Sequence, residues 1–387
     1  MKRKLITSLL LTAAGAFASP AAVACTAAII GASANPSGRP ILWKHRDTST
    51  TDNKVEYVAP QSDNELGYVA LFNASDKTLK EAWMGMNEAG FAVMNTASYN
   101  IKDDKVAQAK MDKEGVLMTR ALKTCRTVDD FARLLDSYPR PMGVEANFGV
   151  IDAYGNGAFF ETNNHSYKRF NLSDEEDDVL IRTNYSHSGR KNEGYGQVRE
   201  CNAETLLRPY IDEKSVTPEV LTETISRTFY RSDLHHDYTM SESVDLIDKD
   251  FIPRYKSTAT IAIEGCRPIE ASQTATPEFV NDEYVMWTGL GYPPVAEIHA
   301  VRCSEDGVLP GLRGTLPDGH SVIGDIAKLK RDSVFTITGK DKEPHINMIL
   351  LYNRLGTGLA QQMILRNAEY YKENKARKSD SEENAGE

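Results

Sequence analysis

The feature that most constrains this chain is a cysteine placed directly after a predicted cleavage site. Cys25 follows the tripeptide Ala22-Val23-Ala24, a small-x-small pattern of the kind that precedes a signal-peptidase cut. Cleavage there would make Cys25 the first residue of the mature protein, with a thiol and an α-amine on one residue. The thiol can attack a carbonyl and the amine can accept its proton. The rest of the fold is then expected to position this one residue.

Residues 1–24 have the usual order of a secretory signal peptide. Lys2, Arg3 and Lys4 form a basic head, residues 5–18 form an apolar run, and Pro20 ends it before the cut. The apolar run is shorter than the roughly 20 residues that a membrane-spanning helix needs. We therefore expect export of the mature chain to the periplasm or the medium, with no membrane span.

A bacterial lipoprotein would use the same cut in a different way. Its cysteine is lipidated and its α-amine is usually acylated, so the amine could not act as a base. Such signals prefer Leu or a similar branched residue three positions before the cysteine, where this chain has Ala22. The pattern favours ordinary cleavage and a free amine, and anchoring through Cys25 stays open as the alternative.

Composition places the mature chain among soluble globular proteins. The full chain has 387 residues, 41% of them hydrophobic and 26% charged, with a net charge of −10. Without a basic stripe to neutralise phosphates, we expect no nucleic-acid partner. No internal repeat or Pro/Ser-rich linker is evident, so we predict one domain over residues 25–371. Residues 372–387 are polar, lack apolar periodicity, and are expected to be a disordered tail.

The cysteines are five in number, which is an odd count for an exported protein. With Cys25 kept as a thiol, four cysteines could form up to two disulfides: Cys125, Cys201, Cys266 and Cys303. Cys266 and Cys303 follow predicted strands and are the first choice for a pair, while four buried thiols are the alternative. The chain has no C-x-x-C pair and no histidine in ligand spacing with a cysteine, so we expect no metal and no cofactor.

The residues after Cys25 predict a β-hairpin. A short apolar strand at 26–31 is followed by a turn-rich segment at 33–39 and a second strand that starts at 40. The second strand ends in Lys44-His45-Arg46-Asp47. Because a hairpin returns the end of its second strand to the start of its first, Asp47 or a neighbour should lie near Cys25. A charged strand end at the surface is the alternative interpretation.

The remaining periodicity separates strands and helices into blocks, which indicates an α+β protein. Asn95 ends an apolar run and Asn184 ends another, and a polar side chain in such a place needs a partner. Predicted strands cover residues 68–72, 91–96, 147–152, 158–162, 179–184, 255–263, 283–287 and 295–301. Predicted helices cover residues 113–125, 128–138, 197–210, 217–229 and 345–371.

Four short stretches, taken in order, resemble the N-terminal-nucleophile (Ntn) hydrolases. They are Cys25-Thr26, Lys44 to Asp47, the turn from Gly85 to Gly90 with Met94-Asn95 after it, and Thr183-Asn184. The resemblance is to linear amide C–N hydrolases, among them choloylglycine hydrolases. The run from Trp43 to Asp47 is closer to the C45 group, the acyl-CoA:6-aminopenicillanic acid acyltransferases. This resemblance implies a four-layer αββα sandwich.

The resemblance also implies roles for individual residues. Cys25 matches the nucleophile, and Asp47 matches the carboxylate that holds the α-amine. Asn184 matches a side chain that helps to bind the oxyanion, and Asn95 resembles a second asparagine near the site.

The basic residues depart from the family pattern. Lys44 stands where the family has an arginine, three residues before the aspartate. Arg46 is the other candidate, although it neighbours Asp47 on a strand and should point to the opposite face. Arg254 is a loose match to a further family arginine. Either Lys44 or Arg46, close to Cys25, would favour its thiolate.

These features predict an exported cysteine Ntn amidohydrolase that cleaves a linear amide C–N bond through a thioester. Its partner would be a small-molecule amide, and the chemistry requires neither a metal nor an organic cofactor. Two alternatives are an acyltransferase that uses an amine acceptor and a non-enzymatic, lipid-anchored envelope protein. Assembly into homo-oligomers is left open by the sequence.

Overall fold

The computed structural model describes residues 24–102, 105–337 and 342–384, with side chains as far as residue 374. The predicted signal peptide lies outside the described residues except for Ala24. The strands are β1 Cys25–Ile30, β2 Ile41–Asp47, β3 Asn53–Val58, β4 Tyr68–Asn73, β5 Met84–Asn87, β6 Ala92–Ala97, β7 Ala146–Ile151, β8 Gly157–Thr162, β9 Tyr167–Asn171, β10 Val179–Arg182, β11 Tyr230–Arg231, β12 His236–Asp237, β13 Leu246–Ile247, β14 Ser257–Glu264, β15 Val285–Leu290, β16 Ile298–Val301, β17 Phe335–Ile337 and β18 Pro344–Ile346. The α-helices are α1 Glu114–Thr124, α2 Val128–Ser137, α3 Gln197–Asp212, α4 Pro277–Glu283, α5 Val322–Val334, α6 Met348–Leu351 and α7 Leu359–Asn384.

Two large antiparallel sheets dominate the fold. The first sheet has six strands in the order β10-β1-β2-β14-β15-β16, and the second has seven in the order β3-β4-β5-β6-β7-β8-β9. The facing surfaces of the two sheets share one apolar core, to which Ile29 and Leu42 contribute from the first sheet and Leu71 and Met94 from the second. Burial of this core between the sheets removes both inner faces from water.

Helices cover both outer faces. Helices α1 and α2 pack on the second sheet through a core that contains Leu117, Phe131 and Phe148. Helix α3 packs on the first sheet in a core with Trp43 and Leu207, where Tyr371 of α7 also lies. The layers therefore run helix, sheet, sheet, helix, which confirms the predicted αββα architecture.

The predicted hairpin at the start of the chain is confirmed. Strands β1 and β2 pair antiparallel, with Cys25 opposite Arg46 and Ala27 opposite Lys44. Strand β14 pairs with the other edge of β2 and brings Ser257 opposite Asp47. The end of β2 is thus held between β1 and β14, and the alternative of a free charged strand end is excluded.

Helix α2 shows how local sequence sets an element's limits. Thr127 accepts a hydrogen bond from the Asp130 nitrogen at 3.1 Å, and Asp130 accepts one from the Thr127 nitrogen at 2.9 Å. This capping box begins the helix. Phe131, Leu134 and Leu135 lie on one buried face, as their spacing predicts.

The C-terminal region differs from the prediction of one helix over 345–371. Strand β18 and the short helix α6 come first, and a turn with Gly356 at φ 72° separates them from α7. Helix α7 then continues to Asn384, across residues expected to be a disordered tail. That stretch is rich in Lys and Glu, which favour a helix without an apolar face. Within the described residues, no helix is long and apolar enough to cross a membrane.

The first-choice disulfide is not formed. Cys303 is a free thiol, and its sulfur lies 3.7 Å from the Gly67 carbonyl oxygen and 3.6 Å from that of Met86. Cys125 is a buried thiol and Cys201 an exposed one. A position at the end of a predicted strand does not fix the distance between two Cβ atoms, which decides whether a disulfide can form.

Candidate active site

Cys25 is the first residue of β1 and is buried, with 3% of its surface exposed. Its main-chain nitrogen donates a hydrogen bond to Oδ1 of Asn184 at 2.7 Å. Its sulfur lies 4.0 Å from the main-chain carbonyl oxygen of Asp47. The nitrogen and the sulfur of this residue therefore both contact polar groups of the protein interior.

Asn184 is oriented by three partners. Its Oδ1 accepts from the Cys25 nitrogen and from Nη2 of Arg199, at 2.7 and 2.9 Å, while its Nδ2 donates to the Ala97 carbonyl oxygen at 2.7 Å. Two donors face one end of the amide and an acceptor faces the other, so its orientation is determined. The resemblance implied that Asn184 binds the oxyanion. Here its Nδ2 is already used, and its oxygen holds the nucleophile's nitrogen.

Arg199 is a site residue that we did not predict. It lies on α3 and is 3% exposed. Its Nη1 donates to the Cys25 carbonyl oxygen at 2.6 Å and to Oγ1 of Thr26 at 3.2 Å. Burial, with a contribution from the charge of Arg254, lowers the pKa of Arg199 to about 10, so it stays charged at neutral pH. A buried cation thus connects the start of β1 to Asn184.

Asp47 lies beside Cys25 in the pairing of the hairpin but turns its carboxylate to the other face of the sheet. Its Oδ1 accepts from Oγ of Ser257 at 2.6 Å, and its Oδ2 accepts from Nη2 of Arg254. Nε2 of His45 lies 2.8 Å from the same serine oxygen. Burial lowers the pKa of His45 to about 4, which keeps this ring neutral at neutral pH. The expected contact between the Asp47 carboxylate and the Cys25 nitrogen is made by Asn184 instead.

Lys44 faces the space between the sheets, on the same side of the strand pair as Cys25. Its Nζ donates to Oδ1 of Asn95 at 2.9 Å and to the Trp83 carbonyl oxygen at 2.8 Å. Burial lowers the pKa of Lys44 to about 8, against the effect of Cys25 and with that of Arg46. Lys44 and Asn95 are therefore hydrogen-bonded to each other between the sheets, and their roles in the reaction stay predictions.

Arg46 points away from the Asp47 carboxylate, as strand alternation predicts, and this places it on the Cys25 side. Its guanidinium donates to Oδ1 of Asn53 and, at 2.8 Å, to Oδ1 of Asn73. It also lies 5.3 Å from the centre of the Trp83 ring. Burial lowers the pKa of Arg46 to about 10. Its donors are engaged by the second sheet, so its part near Cys25 is electrostatic.

Among the residues that the structure describes, one group of side chains away from Cys25 has the spacing of metal ligands. The ligand atoms of Asp52, His320 and Asp325 lie within 4.8 Å of one another. Nζ of Lys328 donates to Oδ1 of Asp52 at 2.8 Å. The Lys328 ammonium binds one oxygen of the Asp52 carboxylate and brings a positive charge close to the group, which would repel a metal cation. We therefore interpret the group as an ion-pair network. It shares no residue with the Cys25 site.

A cavity of about 1020 Å³ lies between β10 and α3, near the edge of the first sheet. Arg182, His187 and Arg208 are among its lining residues. None of the residues described above as contacting Cys25 lines it. This cavity is therefore not the space into which the Cys25 thiol points.

Sequence reasoning missed Arg199, Ser257 and His45. A signal for Arg199 was present: it lies four and eight residues before Ala203 and Leu207, so a basic residue begins the buried stripe of α3. His45 was inside the recognised run but had no assigned role. Ser257 starts a strand and carried no signal that distinguishes it from other serines.

We expect Arg199→Gln to lower kcat/KM about 100-fold, because the loss of its charged bridge would let the Cys25 main chain and Asn184 shift relative to each other. Arg199→Lys should lower kcat/KM less than Arg199→Gln does, since lysine keeps the positive charge but lacks the two terminal nitrogens of the guanidinium. The measurement is steady-state kinetics together with denaturant unfolding. Arg227→Gln is the matched control, because Arg227 is also buried but bonds Glu223 and the Pro294 carbonyl. An equal loss of activity in the control would contradict a specific role for Arg199.

One family model matches part of this chain. Residues 36–212 match the family model described as acyl-coenzyme A:6-aminopenicillanic acid acyl-transferase. This range contains Asp47, Asn95, Asn184 and Arg199 and begins after Cys25. No curated protein matches the chain. The match confirms the resemblance drawn from the sequence.

Solved structures with similar folds have low sequence identity. The Caenorhabditis elegans N-acylethanolamine-hydrolyzing acid amidase ortholog aligns with a TM-score of 0.39 and 10% identity, over 67% of this chain and 98% of its own. A variant of conjugated bile acid hydrolase from Clostridium perfringens aligns with a TM-score of 0.44 and 11% identity, over 74% of this chain and 95% of its own. Penicillin V acylase from Agrobacterium tumefaciens aligns with a TM-score of 0.40 and 11% identity, over 72% of this chain and 86% of its own.

The αββα layers and the match over residues 36–212 together say what class of protein this chain is similar to. That class is the Ntn hydrolases and related acyltransferases, to which the sequence also pointed. Within that class, the stretch from 36 to 212 resembles the acyl-CoA:6-aminopenicillanic acid acyltransferases.

Proposed function

We propose that this protein is an exported cysteine Ntn amidohydrolase that cleaves a linear amide C–N bond. The observation that carries the proposal is the hydrogen bond from the Cys25 nitrogen to Asn184, at 2.7 Å in a buried site. The side chain that holds this nitrogen lies two residues after the end of β10 and 159 positions along the chain. A contact of this kind would orient an α-amine that acts as a base.

The reaction needs a free α-amine at Cys25. In the unprocessed chain this nitrogen belongs to the peptide bond with Ala24, which is itself buried. A peptide nitrogen has no basic lone pair, so it cannot take the thiol proton. Removal of the signal peptide would convert it to an amine in a place where Asn184 already accepts one of its hydrogens.

The proposed steps then follow from the positions of the groups. The α-amine takes the thiol proton, and the sulfur attacks the substrate carbonyl to form a tetrahedral oxyanion. The amine proton passes to the leaving nitrogen as the C–N bond breaks, which leaves a thioester on Cys25. Water, deprotonated by the same amine, attacks the thioester and releases the acid. These steps require neither a metal nor an organic cofactor.

The groups that stabilise the oxyanion in this proposal differ from the one expected from the sequence, which was Asn184. Because Nδ2 of Asn184 donates to Ala97, we propose Lys44 and Asn95 as the donors instead. Lys44 lies on the Cys25 face of the hairpin, and its Nζ keeps Asn95 in place at 2.9 Å. A preorganised donor at this position is worth roughly 3 kcal/mol in the transition state.

Acyl transfer to an amine is the second candidate function, and the family match favours it. The matched model is described as an acyl-transferase, and a thioester can be resolved by an amine as well as by water. Product analysis with and without an added amine acceptor separates the two outcomes. A new N-acyl product that grows with amine concentration would support transfer, and free acid alone would support hydrolysis.

The deciding experiment has two parts. Intact mass of the exported protein should show a chain that starts at unmodified Cys25; a gain that matches lipid and acyl groups would instead support the anchored, non-enzymatic alternative. A panel of N-acyl amino acids, bile acid conjugates, β-lactam side-chain amides and short peptides is then assayed with the mature protein. Cleavage of at least one amide by the mature protein is expected, and no cleavage of any by correctly processed protein would contradict the proposal.

A further inference from the structure

Arg254 lies between two carboxyl groups, and only one of them binds it. Its Nη2 donates to Oδ2 of Asp47. The second carboxyl belongs to Asp248, whose Oδ2 accepts from the Tyr255 nitrogen at 2.8 Å. Burial lowers the pKa of Arg254. The negative charges of Asp47 and, to a smaller extent, Asp248 outweigh the effect of burial, so the pKa of Arg254 is raised. Asp248 is thus electrostatically coupled to Arg254 without a hydrogen bond to it.

Three buried polar atoms in this region have no hydrogen-bond partner among the described residues. They are Oδ1 of Asp248, Nε of Arg254 and the hydroxyl of Tyr292. Asp248 as a whole is partly exposed, yet this oxygen is shielded from solvent. A buried donor or acceptor that lacks a partner is costly, so an unpaired acceptor on Asp248 and an unpaired donor on the electrostatically coupled Arg254 call for a functional explanation.

We propose that Asp248 is a positioning residue of the active site, which shares Arg254 with Asp47 according to its protonation state. When Asp248 is neutral, Arg254 stays on Asp47, which is the arrangement in this structure. When Asp248 is ionised, its Oδ1 draws the free Nε of Arg254 and loosens the pair at the end of β2. The inference rests on the proposed function, because it assumes that Asp47 and Cys25 belong to one catalytic site.

The groups around Asp248 favour its neutral form near neutral pH. Burial raises its pKa to about 7, against the hydrogen bond from Tyr255 and the charges of Arg254 and Lys256, and with the charge of Asp47. The titratable and charged groups near it come from its own loop, from β2, from the turn at Tyr292, from α5 and from β18. They are Arg254, Lys256, Asp47, Tyr292, Arg331 and His345.

The sign of the pH dependence follows from this raised pKa. An unfolded aspartate has a pKa of about 4, so the stability that protonated Asp248 contributes is fully present below about pH 4. It is lost as the pH rises toward about 7 and through it. Activity should fall as the pH rises through about 7, because ionised Asp248 draws Arg254 away from Asp47.

The test is the pH profile of kcat/KM for Asp248→Asn beside the wild type. The wild type should lose activity with an apparent pKa of about 7, roughly tenfold between about pH 6 and pH 8. The variant mimics the neutral form, so it should keep full activity to about pH 8, where Lys44 loses its proton. It should also lose less thermal stability than the wild type between about pH 5 and pH 8.

Glu114→Gln is the matched control. Burial raises the pKa of Glu114 to about 7 as well, but it lies on α1, behind the second sheet. Its variant should gain stability at alkaline pH and keep the wild-type activity profile. The inference would be overturned if Asp248→Asn lost activity between about pH 6 and pH 8 as the wild type does. A folded Asp248→Asn variant that is inactive at every pH would also overturn it. If instead Cys25→Ala cleaves the substrate as well as wild type, the proposed function fails, whatever the Asp248 result.

Discussion

Cys25→Ala should lower kcat/KM for the cleaved amide by roughly 1000-fold or more, because removal of an attacking group ends covalent catalysis. The change deletes one sulfur from a buried residue and leaves the main-chain contacts to Asn184 and Arg199 in place. The fold should therefore survive, with an unfolding midpoint close to that of the wild type. The measurement is single-substrate kinetics together with thermal unfolding.

Cys201→Ala is the control for this result. Cys201 is an exposed thiol on α3, two residues after Arg199, and belongs to none of the contacts described for Cys25. We expect its substitution to leave activity unchanged. Comparable activity in Cys25→Ala and wild type, with correct mass and fold, would exclude Cys25 as the nucleophile.

A mature protein that retains Ala24 should be about 100- to 10,000-fold less active than one that begins at Cys25, which is the range for the loss of a general base. The thiol is present in both forms. In the longer form the Cys25 nitrogen is an amide and cannot accept a proton. The two forms can be made by cleaving a removable leader before Ala24 or before Cys25, and compared in the same assay.

The two forms are expected to share the same fold around Cys25. The chain with Ala24 in place keeps the hydrogen bond from Cys25 to Asn184 and the complete β1–β2 pairing. Misfolding would therefore not explain a loss. Full activity of the Ala24 form would show that the α-amine is not the base, and the mechanism would have to use another group, such as Lys44.

The hairpin could be predicted from sequence because its determinants are local. Turn residues between two apolar runs set the β1–β2 register. That register places Arg46 opposite Cys25, and Asp47 is the next residue after Arg46 on β2. The same alternation correctly placed Arg46 on the face opposite the Asp47 carboxylate. It did not tell which of these faces carries the reacting atoms.

The partners of these residues were beyond local reasoning. Asn184 was recognised by resemblance, yet its actual contact to the Cys25 nitrogen joins residues 159 apart in the chain. Arg199 reaches Cys25 across 174 positions, and Arg254 reaches Asp47 across 207. In this structure the Cys25 nitrogen contacts Asn184, and the Asp47 carboxylate is bound by Ser257 of β14 and by Arg254 of the preceding loop.

By itself, the sequence determined that Cys25 stands behind a cleavage pattern and starts a strand whose hairpin partner ends in Lys44 to Asp47. Those facts depend on neighbours in the chain. Only the tertiary structure decided which polar groups meet there, because buried donors and acceptors pair with whatever the packing of α3 and β14 against the first sheet brings within about 3 Å. That packing depends on the whole chain, and so do the contacts of the Cys25 nitrogen.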